Sequence, residues 1–298
     1  MAIATVFIIV SKTHQYTMFY QIVCDALARP ELPCYALNSI TCAMTRCIVK
    51  SMTAYLTRTR QPSTDHCAAC GTPLTRGYYF LRDRSERYCP ECIATRPRCD
   101  ACSAPVGDQH WTLHDRRVLC NNCYATAVFD PALARHLYDE TVSAIVAQLN
   151  LSLKVGVEFR LIDEPGMAHV RAGANDDHHP EEKTLGLYQR QGRLRAIYML
   201  YGLPKLLFRT VVAHEYAHAW QGETCPLLDD DGLREGFAEW VAYRHLLYLG
   251  CTRAAQRMLT SSHPYRPLME QVLALEAQVG PAGVLEHIRA VGRGVAAS

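Results

Sequence analysis

Long hydrophobic runs and an excess of one charge are both missing from this sequence. No stretch reaches the continuous apolar length of about 18 residues that a membrane-spanning helix needs. The apolar run from Ala2 to Val10 is short and has no basic residues before it, so we expect no signal peptide. Lys and Arg number 31 against 29 Asp and Glu, which leaves a net charge of +2 and no basic footprint for nucleic acid. The composition therefore predicts a cytoplasmic protein that contacts neither membranes nor nucleic acid.

Cysteine, in contrast, is abundant, with 14 residues. Eight of them form four C-x-x-C pairs, and the loops within the first two and the last two pairs are 18 and 17 residues long. Two such pairs make one tetrahedral thiolate site, and in a reducing compartment this spacing favours zinc over disulfides or redox-active thiols. We expect sequential pairing, with Cys67, Cys70, Cys89 and Cys92 at one zinc ion and Cys99, Cys102, Cys120 and Cys123 at a second.

Both ions are expected to be structural, because four thiolates leave no open coordination position. The segment that holds them, about residues 63–129, has little core, so metal binding would supply much of its folding free energy. Its arginines are interspersed with acidic residues, which favours a protein partner over nucleic acid.

A second strong feature is the H-E-x-x-H motif that runs from His214 to His218. Two histidines four residues apart on a helix share a face and can reach one metal ion. Pro204 is placed to open this helix and Gly222 to end it. Asp229, Asp230 and Asp231 can cap a following helix that carries Glu235. The alternative is a buried histidine pair beside a solvated acid, but two helices supplying matching groups favour a metal site.

Three protein ligands leave one position open, as in catalytic zinc sites. We expect His214, His218 and Glu235 to bind this zinc ion and Glu215 to act as the general base on an activated water. Glu239 is four residues beyond Glu235 and could replace it as a ligand. The string Glu-Gly-Phe-Ala resembles the zinc-ligand segment of the gluzincin aminopeptidases, which favours Glu235 and leaves Glu239 to orient a histidine or to lie at the surface.

A further donor should stabilise the oxyanion, and the sequence leaves the choice open. Tyr243 is eight residues past Glu235, roughly on the same helix face, whereas Tyr265 lies in a Pro-flanked loop. His245 and His263 are further candidates. Each of these residues could equally be structural.

The cysteine segment resembles a LIM domain, a two-zinc module used for protein–protein contacts. It differs in having six residues between Cys92 and Cys99, where that pattern has two, and in having Cys89 where many LIM modules have histidine. These differences concern the relative orientation of the two halves and leave zinc binding intact.

A LIM-like module followed by an H-E-x-x-H domain resembles the family of LIM-domain latent peptidases that limit organ size in plants, with their bacterial relatives. The resemblance rests on the eight cysteines, on His214-Glu215-x-x-His218-Ala219-Trp220 and on Glu235-Gly236. It implies a minimal gluzincin peptidase domain over residues 130–298. The zinc ligands and the catalytic glutamate carry over position by position, but the substrate does not.

The remaining periodicity predicts an α+β fold, with a treble-clef or zinc-ribbon module and a small mixed or antiparallel sheet beside the metal helix. The resemblance to gluzincins, in which the strand near the zinc helix pairs with the substrate backbone, implies that residues 195–201 pair with an extended substrate by strand addition. Residues 163–183 are expected to be a loop. We expect the cluster of acids and histidines in this loop to be solvated, namely Asp176, Asp177, His178 and His179. The other expected elements are helices over residues 130–150, 252–259, 267–279 and 281–290 and strands over residues 153–162, 185–189 and 194–200.

Residues 1–62 show poor periodicity and predict a poorly specified extension, in which Met52 could be an alternative start. The leading hypothesis for the whole chain is a zinc peptidase, acting on a protein or peptide substrate, whose LIM-like module recruits a partner or the substrate. A latent or inactive peptidase-fold scaffold and a zinc hydrolase of non-peptide amides are the alternatives.

Overall fold

The computed structural model describes residues 56–59, 65–75, 77–81, 85–173, 183–261 and 263–294. Most of the expected N-terminal extension and the loop with His178 and His179 lie outside these residues. No helix in the described ranges is long and apolar enough to cross a membrane.

The cysteine segment folds into two halves built alike, each with a short antiparallel hairpin followed by a short helix. In the first half, β1 (Leu56–Thr59), β2 (Tyr78–Leu81) and β3 (Arg87–Tyr88) precede α1 (Pro90–Thr95). In the second half, β4 (Trp111–Thr112) and β5 (Val118–Leu119) precede α2 (Asn121–Tyr124). Strand β1 lies within residues 1–62, which we expected to be a poorly specified extension. The sequence does not predict this strand because its pairing with β2 is a tertiary contact that no local pattern indicates.

Helix α3 (Pro131–Leu149) begins the second part of the chain, as the sequence predicts. The Asp130 side chain accepts hydrogen bonds from the amides of Ala132 and Leu133, and Asn150 ends the helix in the left-handed region with φ of 53°. The buried side of the helix, including Leu137 and Ile145, packs into the main core.

A three-stranded sheet follows, with β6 (Glu158–Ile162), β7 (Gly186–Gln191) and β8 (Leu194–Leu200) in the order β6-β8-β7. Strand β8 is parallel to β6 and antiparallel to β7. Because both edges of β8 are already paired, our expectation that residues 195–201 receive a substrate strand is wrong. Strand β7 lies at the edge of the sheet instead.

Helix α4 (Glu164–Gly173) occupies the first half of the segment that we expected to be a loop. Pro165 and Gly166 suggest a loop by composition, but proline is tolerated in a first helical turn. The Asp163 carboxylate accepts a hydrogen bond from the Gly166 amide at 3.0 Å, and Met167 is buried. Capping and burial thus outweigh the turn-like composition.

Helices α5 (Lys205–Thr224) and α6 (Asp231–Tyr248) pack against each other at the centre of this part. The buried ring of Phe237 lies between two buried tryptophan rings. Its centroid is 5.5 Å from that of Trp220 and 5.6 Å from that of Trp240. Burying each ring contributes roughly 2–3 kcal/mol. Apolar contacts between buried aromatic rings therefore help to hold the two metal-motif helices together.

The ends of these helices follow the sequence signals closely. Pro204 precedes α5, and the Asp230 carboxylate caps α6 by accepting from the Leu233 amide. Helix α5 runs two residues past Gly222, whose missing side chain makes room for the Tyr188 ring. Helices α7 (Thr252–Thr260) and α8 (Arg266–Val291) cover α6, and α8 is broken at Gly280, where φ is 73°.

Candidate metal centre

Each half of the module gathers its four cysteines as the sequence predicts. The sulfur atoms of Cys67, Cys70, Cys89 and Cys92 lie within 4.8 Å of one another, as do those of Cys99, Cys102, Cys120 and Cys123. Two cross-pair distances, Cys70 Sγ to Cys89 Sγ and Cys102 Sγ to Cys120 Sγ, are both 3.8 Å. Tetrahedral zinc with Zn–S bonds of about 2.3 Å requires sulfur atoms about 3.8 Å apart. Both clusters therefore fit structural zinc.

Each cluster also contains an equivalent hydrogen bond from a backbone amide to a cysteine sulfur. The amide of Cys89 donates to Cys67 Sγ and the amide of Cys120 donates to Cys99 Sγ, both at 3.3 Å. An N–H donor stabilises a thiolate more than a thiol, so each bond favours the metal-binding form.

A third group of metal-binding atoms lies between α5 and α6. His214 Nε2 is 3.0 Å from His218 Nε2, and Glu235 Oε2 is 3.5 Å and 3.6 Å from these two atoms. Zinc with Zn–N and Zn–O bonds of about 2.1 Å has neighbouring ligand atoms about 3.4 Å apart. The three atoms thus outline one face of a tetrahedron of the right size, and the residues present fit a zinc ion with an open fourth position.

The other ring nitrogens of the two histidines have acceptors of their own. His214 Nδ1 is 3.4 Å from Glu239 Oε1, and His218 Nδ1 is 3.0 Å from Gln221 Oε1. Gln221 in turn donates to the carbonyl oxygen of Arg234 on the neighbouring helix. Acceptors at Nδ1 place the proton there and leave Nε2 free to bind a metal. Glu239 is therefore placed as an orienting partner, and Gln221 is a site residue that we missed although it is three residues from His218 on the same helix.

The histidines and carboxylates in this group favour the charged forms of one another. Burial by itself raises the pKa of Glu235, but hydrogen bonds from His214 and His218 outweigh burial and hold that pKa well below its usual range. Burial lowers the pKa of His214, but Glu235 and Glu239 outweigh it and raise this pKa well above its usual value. The carboxylates thus supply the negative charge that a divalent cation would neutralise.

Glu215 is held beside this group by the edge of the sheet. The backbone amide of Tyr188 on β7 donates to Glu215 Oε2 at 2.8 Å, and the glutamate is only 7 % exposed. The strand approaches α5 this closely because position 186 is glycine. A Cβ atom on Gly186 would lie 2.5 Å from Val211 Cγ1 and 2.9 Å from Glu215 Cγ.

We therefore expect Gly186→Ala to separate β7 from α5 and to lower the free energy of unfolding by about 1–3 kcal/mol, as overpacking does. Gly156→Ala is the matched control, because a Cβ atom there meets nothing within 4 Å. Urea unfolding of both variants measures the difference. Equal stability of the two variants would show that β7 adjusts without cost.

A cleft of about 1630 Å³ contains the whole group, with His214, Glu215, His218 and Glu235 in its lining. His263 and Tyr265 line the same cleft, and their rings stand 5.1 Å apart. The structure thus brings two of the four candidate oxyanion donors to the site.

The other two candidates lie elsewhere. Eight residues turn a helix by about 80° beyond two full turns, so Tyr243 does not share the face of Glu235, as we expected it to. It packs instead beside Leu246 and Ala254. His245 is 1 % exposed, and burial, with Arg209 nearby, lowers its pKa to about 4. Neither residue is positioned to contact a substrate in the cleft.

Comparison with known proteins places this site within a family match. The family model DA1-like: Protein DA1 matches residues 167–263, which include both histidines, Glu215 and Glu235. Protein DA1 of Arabidopsis thaliana is 26% identical over 196 residues, covering 54% of this chain and 36% of the relative. Protein DA1-related 1 of the same plant is 27% identical over 171 residues, covering 45% of this chain and 31% of the relative.

A rice relative (Oryza sativa subsp. japonica), LIM domain-containing protein HDR3, is 24% identical over 169 residues, covering 45% of this chain and 34% of the relative. The chain thus spans about a third of the length of these curated relatives. No solved structure matches the chain significantly. The matches confirm that this chain is related to the DA1-like family of LIM-domain proteins.

Proposed function

We propose that this chain is a zinc-dependent peptidase of the gluzincin type, acting on a protein or peptide substrate. The observation that carries the proposal is the convergence of His214, His218 and Glu235 with a fourth group, Glu215, in one cleft. A pseudo-enzyme has no need to retain all four groups in this arrangement. The LIM-like module would recruit a partner or position the substrate.

A zinc ion held by His214, His218 and Glu235 supplies Lewis acidity, which acidifies water and polarises a carbonyl group. Glu215 would accept the proton from the attacking water and return it to the leaving amine. Its hydrogen bond from the Tyr188 amide fixes the direction of the carboxylate before substrate binds. Glu239 and Gln221 would keep the two imidazoles in the tautomer that binds metal.

The developing oxyanion would receive a hydrogen bond from a donor that lines the cleft. Tyr265 and His263 are the donors available there. Tyr265 can donate through its hydroxyl, whereas His263 accepts from the Tyr265 amide at Nδ1 and can donate from Nε2. A loss of activity in Tyr265→Phe with unchanged zinc content would assign this role to the tyrosine.

The proposal is tested by zinc content together with cleavage of denatured protein. We expect three zinc ions per chain in the wild type and two in His218→Ala, which should no longer cleave. His136→Ala is the matched control, since His136 is an exposed α3 residue that pairs with Glu140. It should keep three ions and full activity.

Two outcomes would contradict the proposal in different ways. A wild-type chain with only two zinc ions under zinc-saturating conditions would show that the third group does not bind metal. Three ions without cleavage of any denatured protein would favour the alternative, a scaffold with a peptidase-like fold that acts through its LIM-like module.

A further inference from the structure

We propose that the second half of the LIM-like module, from Cys99 to Cys123, is a substrate-contacting wall of the cleft, with Ala101 as a specificity-determining position. The substrate it fits is an extended polypeptide segment that continues several residues beyond the scissile bond. This inference rests on the proposed peptidase function and goes beyond a recruiting role for the module.

The first observation is that the knuckle of the second cysteine cluster and the candidate metal centre line the same cleft. Asp100, Ala101, Cys102 and Ser103 stand at the module end of the cleft, which also contains His214 and Glu215. Asp100 forms an ion pair with Lys183, three residues before β7 begins. The knuckle therefore borders the end of the cleft from which β7 leads toward Glu215.

The second observation is that this wall is attached to the first turn of the metal helix. The amide of Lys205 donates to the carbonyl oxygen of Thr126 at 2.9 Å, and Val128 exchanges backbone hydrogen bonds with Gly202 and Leu203 at 2.8 and 2.9 Å. Three hydrogen bonds thus join the residues that follow Cys123 to residues 202–205, where α5 begins. The wall cannot move independently of the helix that carries the motif.

A buried ion pair within the module makes two further hydrogen bonds to residues outside the module. The Asp115 side chain is fully buried and Arg117 is 8 % exposed, with Arg117 Nη2 2.9 Å from Asp115 Oδ2. The same nitrogen donates to the carbonyl oxygen of Tyr201 at 2.6 Å. Asp115 Oδ2 also accepts from the amide of Glu164 at 3.3 Å. Separating the module from the cleft would break the hydrogen bonds from Arg117 to Tyr201 and from Glu164 to Asp115, and losing a hydrogen bond at a buried charged group is costly.

The position of the wall sets which substrate residue it contacts. Lys205 bonds to Thr126, which lines the cleft three residues after Cys123 at the end of the wall. It precedes His214 by nine residues on α5, and a helix rises 1.5 Å per residue, so the two are about 14 Å apart along the axis. An extended peptide advances about 3.3 Å per residue. The wall therefore faces a substrate residue about four positions from the scissile bond.

The first half of the module provides a control at its exposed position 68, since Ala69, the counterpart of Ala101, is buried. The two knuckles have the same pattern, Cys67-Ala68-Ala69-Cys70 and Cys99-Asp100-Ala101-Cys102. Ala68 is exposed and borders the first cluster, whereas the cleft lining includes Asp100, Ala101 and Cys102 of the second knuckle and none of the four residues of the first. A charge placed at position 68 therefore lies within a C-x-x-C knuckle that does not line the cleft.

The test compares the cleavage sites of Ala101→Arg and Ala101→Glu in one denatured protein mixture, read by mass spectrometry of the products. We expect Ala101→Arg to enrich Asp and Glu about fivefold at a single position about four residues from the scissile bond, since a nearby pair in high dielectric contributes about 1 kcal/mol. Ala101→Glu should enrich Lys and Arg at that same position. Both effects should weaken in high salt.

Ala68→Arg and Ala68→Glu should leave the cleavage-site profile of the wild type unchanged. A uniform fall in cleavage at all sites by the Ala101 variants, without a change of preference, would overturn the inference and leave the proposed function standing. Absence of cleavage by the wild type would overturn both.

A second pair of variants covers the case in which Ala101→Arg lowers the zinc content. Ser103 has φ of 59°, a region that Asn and Asp tolerate. Ser103→Asp and Ser103→Asn therefore differ in charge alone. Selective enrichment of Lys and Arg by the Asp variant would support the wall, and identical profiles would refute it.

Discussion

The Glu215→Gln variant is expected to lose about 10²–10⁴-fold in the rate of peptide cleavage, the range that a general base contributes. Glutamine has nearly the same shape as glutamate, and its carbonyl oxygen can still accept the hydrogen bond from the Tyr188 amide. It cannot accept a proton from water at neutral pH. The variant should therefore keep three zinc ions and an unchanged fold, so that the loss reports on proton transfer alone.

Steady-state cleavage of a fluorogenic peptide, with zinc content measured on the same sample, checks this result. Glu158→Gln is the control, because Glu158 is an exposed residue of β6 whose partner is Arg160. It should cleave at the wild-type rate. Equal cleavage by Glu215→Gln and the wild type would remove the glutamate from the mechanism and, with it, the reason to compare this site with other H-E-x-x-H peptidases.

Cys123→Ser is expected to lower the free energy of unfolding of the whole described body by roughly 5 kcal/mol or more, since structural zinc contributes apparent values of about 10 kcal/mol in small zinc domains. Cys123 is buried in a cluster that also includes Leu113, Phe129 and Tyr201. Tyr201 directly follows β8 and precedes the metal helix. Losing the second zinc ion should therefore loosen the anchor of α5 as well as the module.

Cys70→Ser should have a smaller effect on the catalytic part, because Cys70 is exposed and its cluster consists of module residues. Urea unfolding followed by the fluorescence of the buried Trp220 and Trp240 separates the two effects, since both rings lie in the main core. Cys251→Ser, outside both clusters, is the control and should be neutral. Equal shifts of the tryptophan transition in Cys70→Ser and Cys123→Ser would show that the second zinc ion is not coupled to the main core.

The three groups of candidate metal ligands could be predicted from the sequence because their signals are local. A C-x-x-C pair specifies one knuckle, and two histidines four residues apart lie on one helix face wherever that helix packs. Gln221 obeys the same local rule and could have been found. The choice between Glu235 and Glu239 was harder, since both lie on the face toward His214, and it depends on which nitrogen of His214 each carboxylate approaches.

The errors concern long-range strand pairing, the capping and burial of a helix, and the exact angle between positions on a helix. Strand periodicity identifies β6, β7 and β8 but cannot tell which one lies in the middle, because that depends on contacts between residues far apart in the chain. Helix α4 was missed because its capping by Asp163 and the burial of Met167 outweigh a loop-like composition. Tyr243 was placed on the wrong side of α6 because an offset of eight residues is only approximately two turns.

The amino-acid sequence by itself determined the chemistry of this protein, namely eight thiolates in matched pairs and a histidine–glutamate set at helical spacing, since ligand type and local periodicity are written in the chain. Tertiary structure alone decided that β7 rather than β8 borders the cleft and that the second cysteine half forms one of its walls. The physical reason is that these features depend on hydrogen bonds between segments distant in sequence, such as the one from the Arg117 side chain to the carbonyl oxygen of Tyr201.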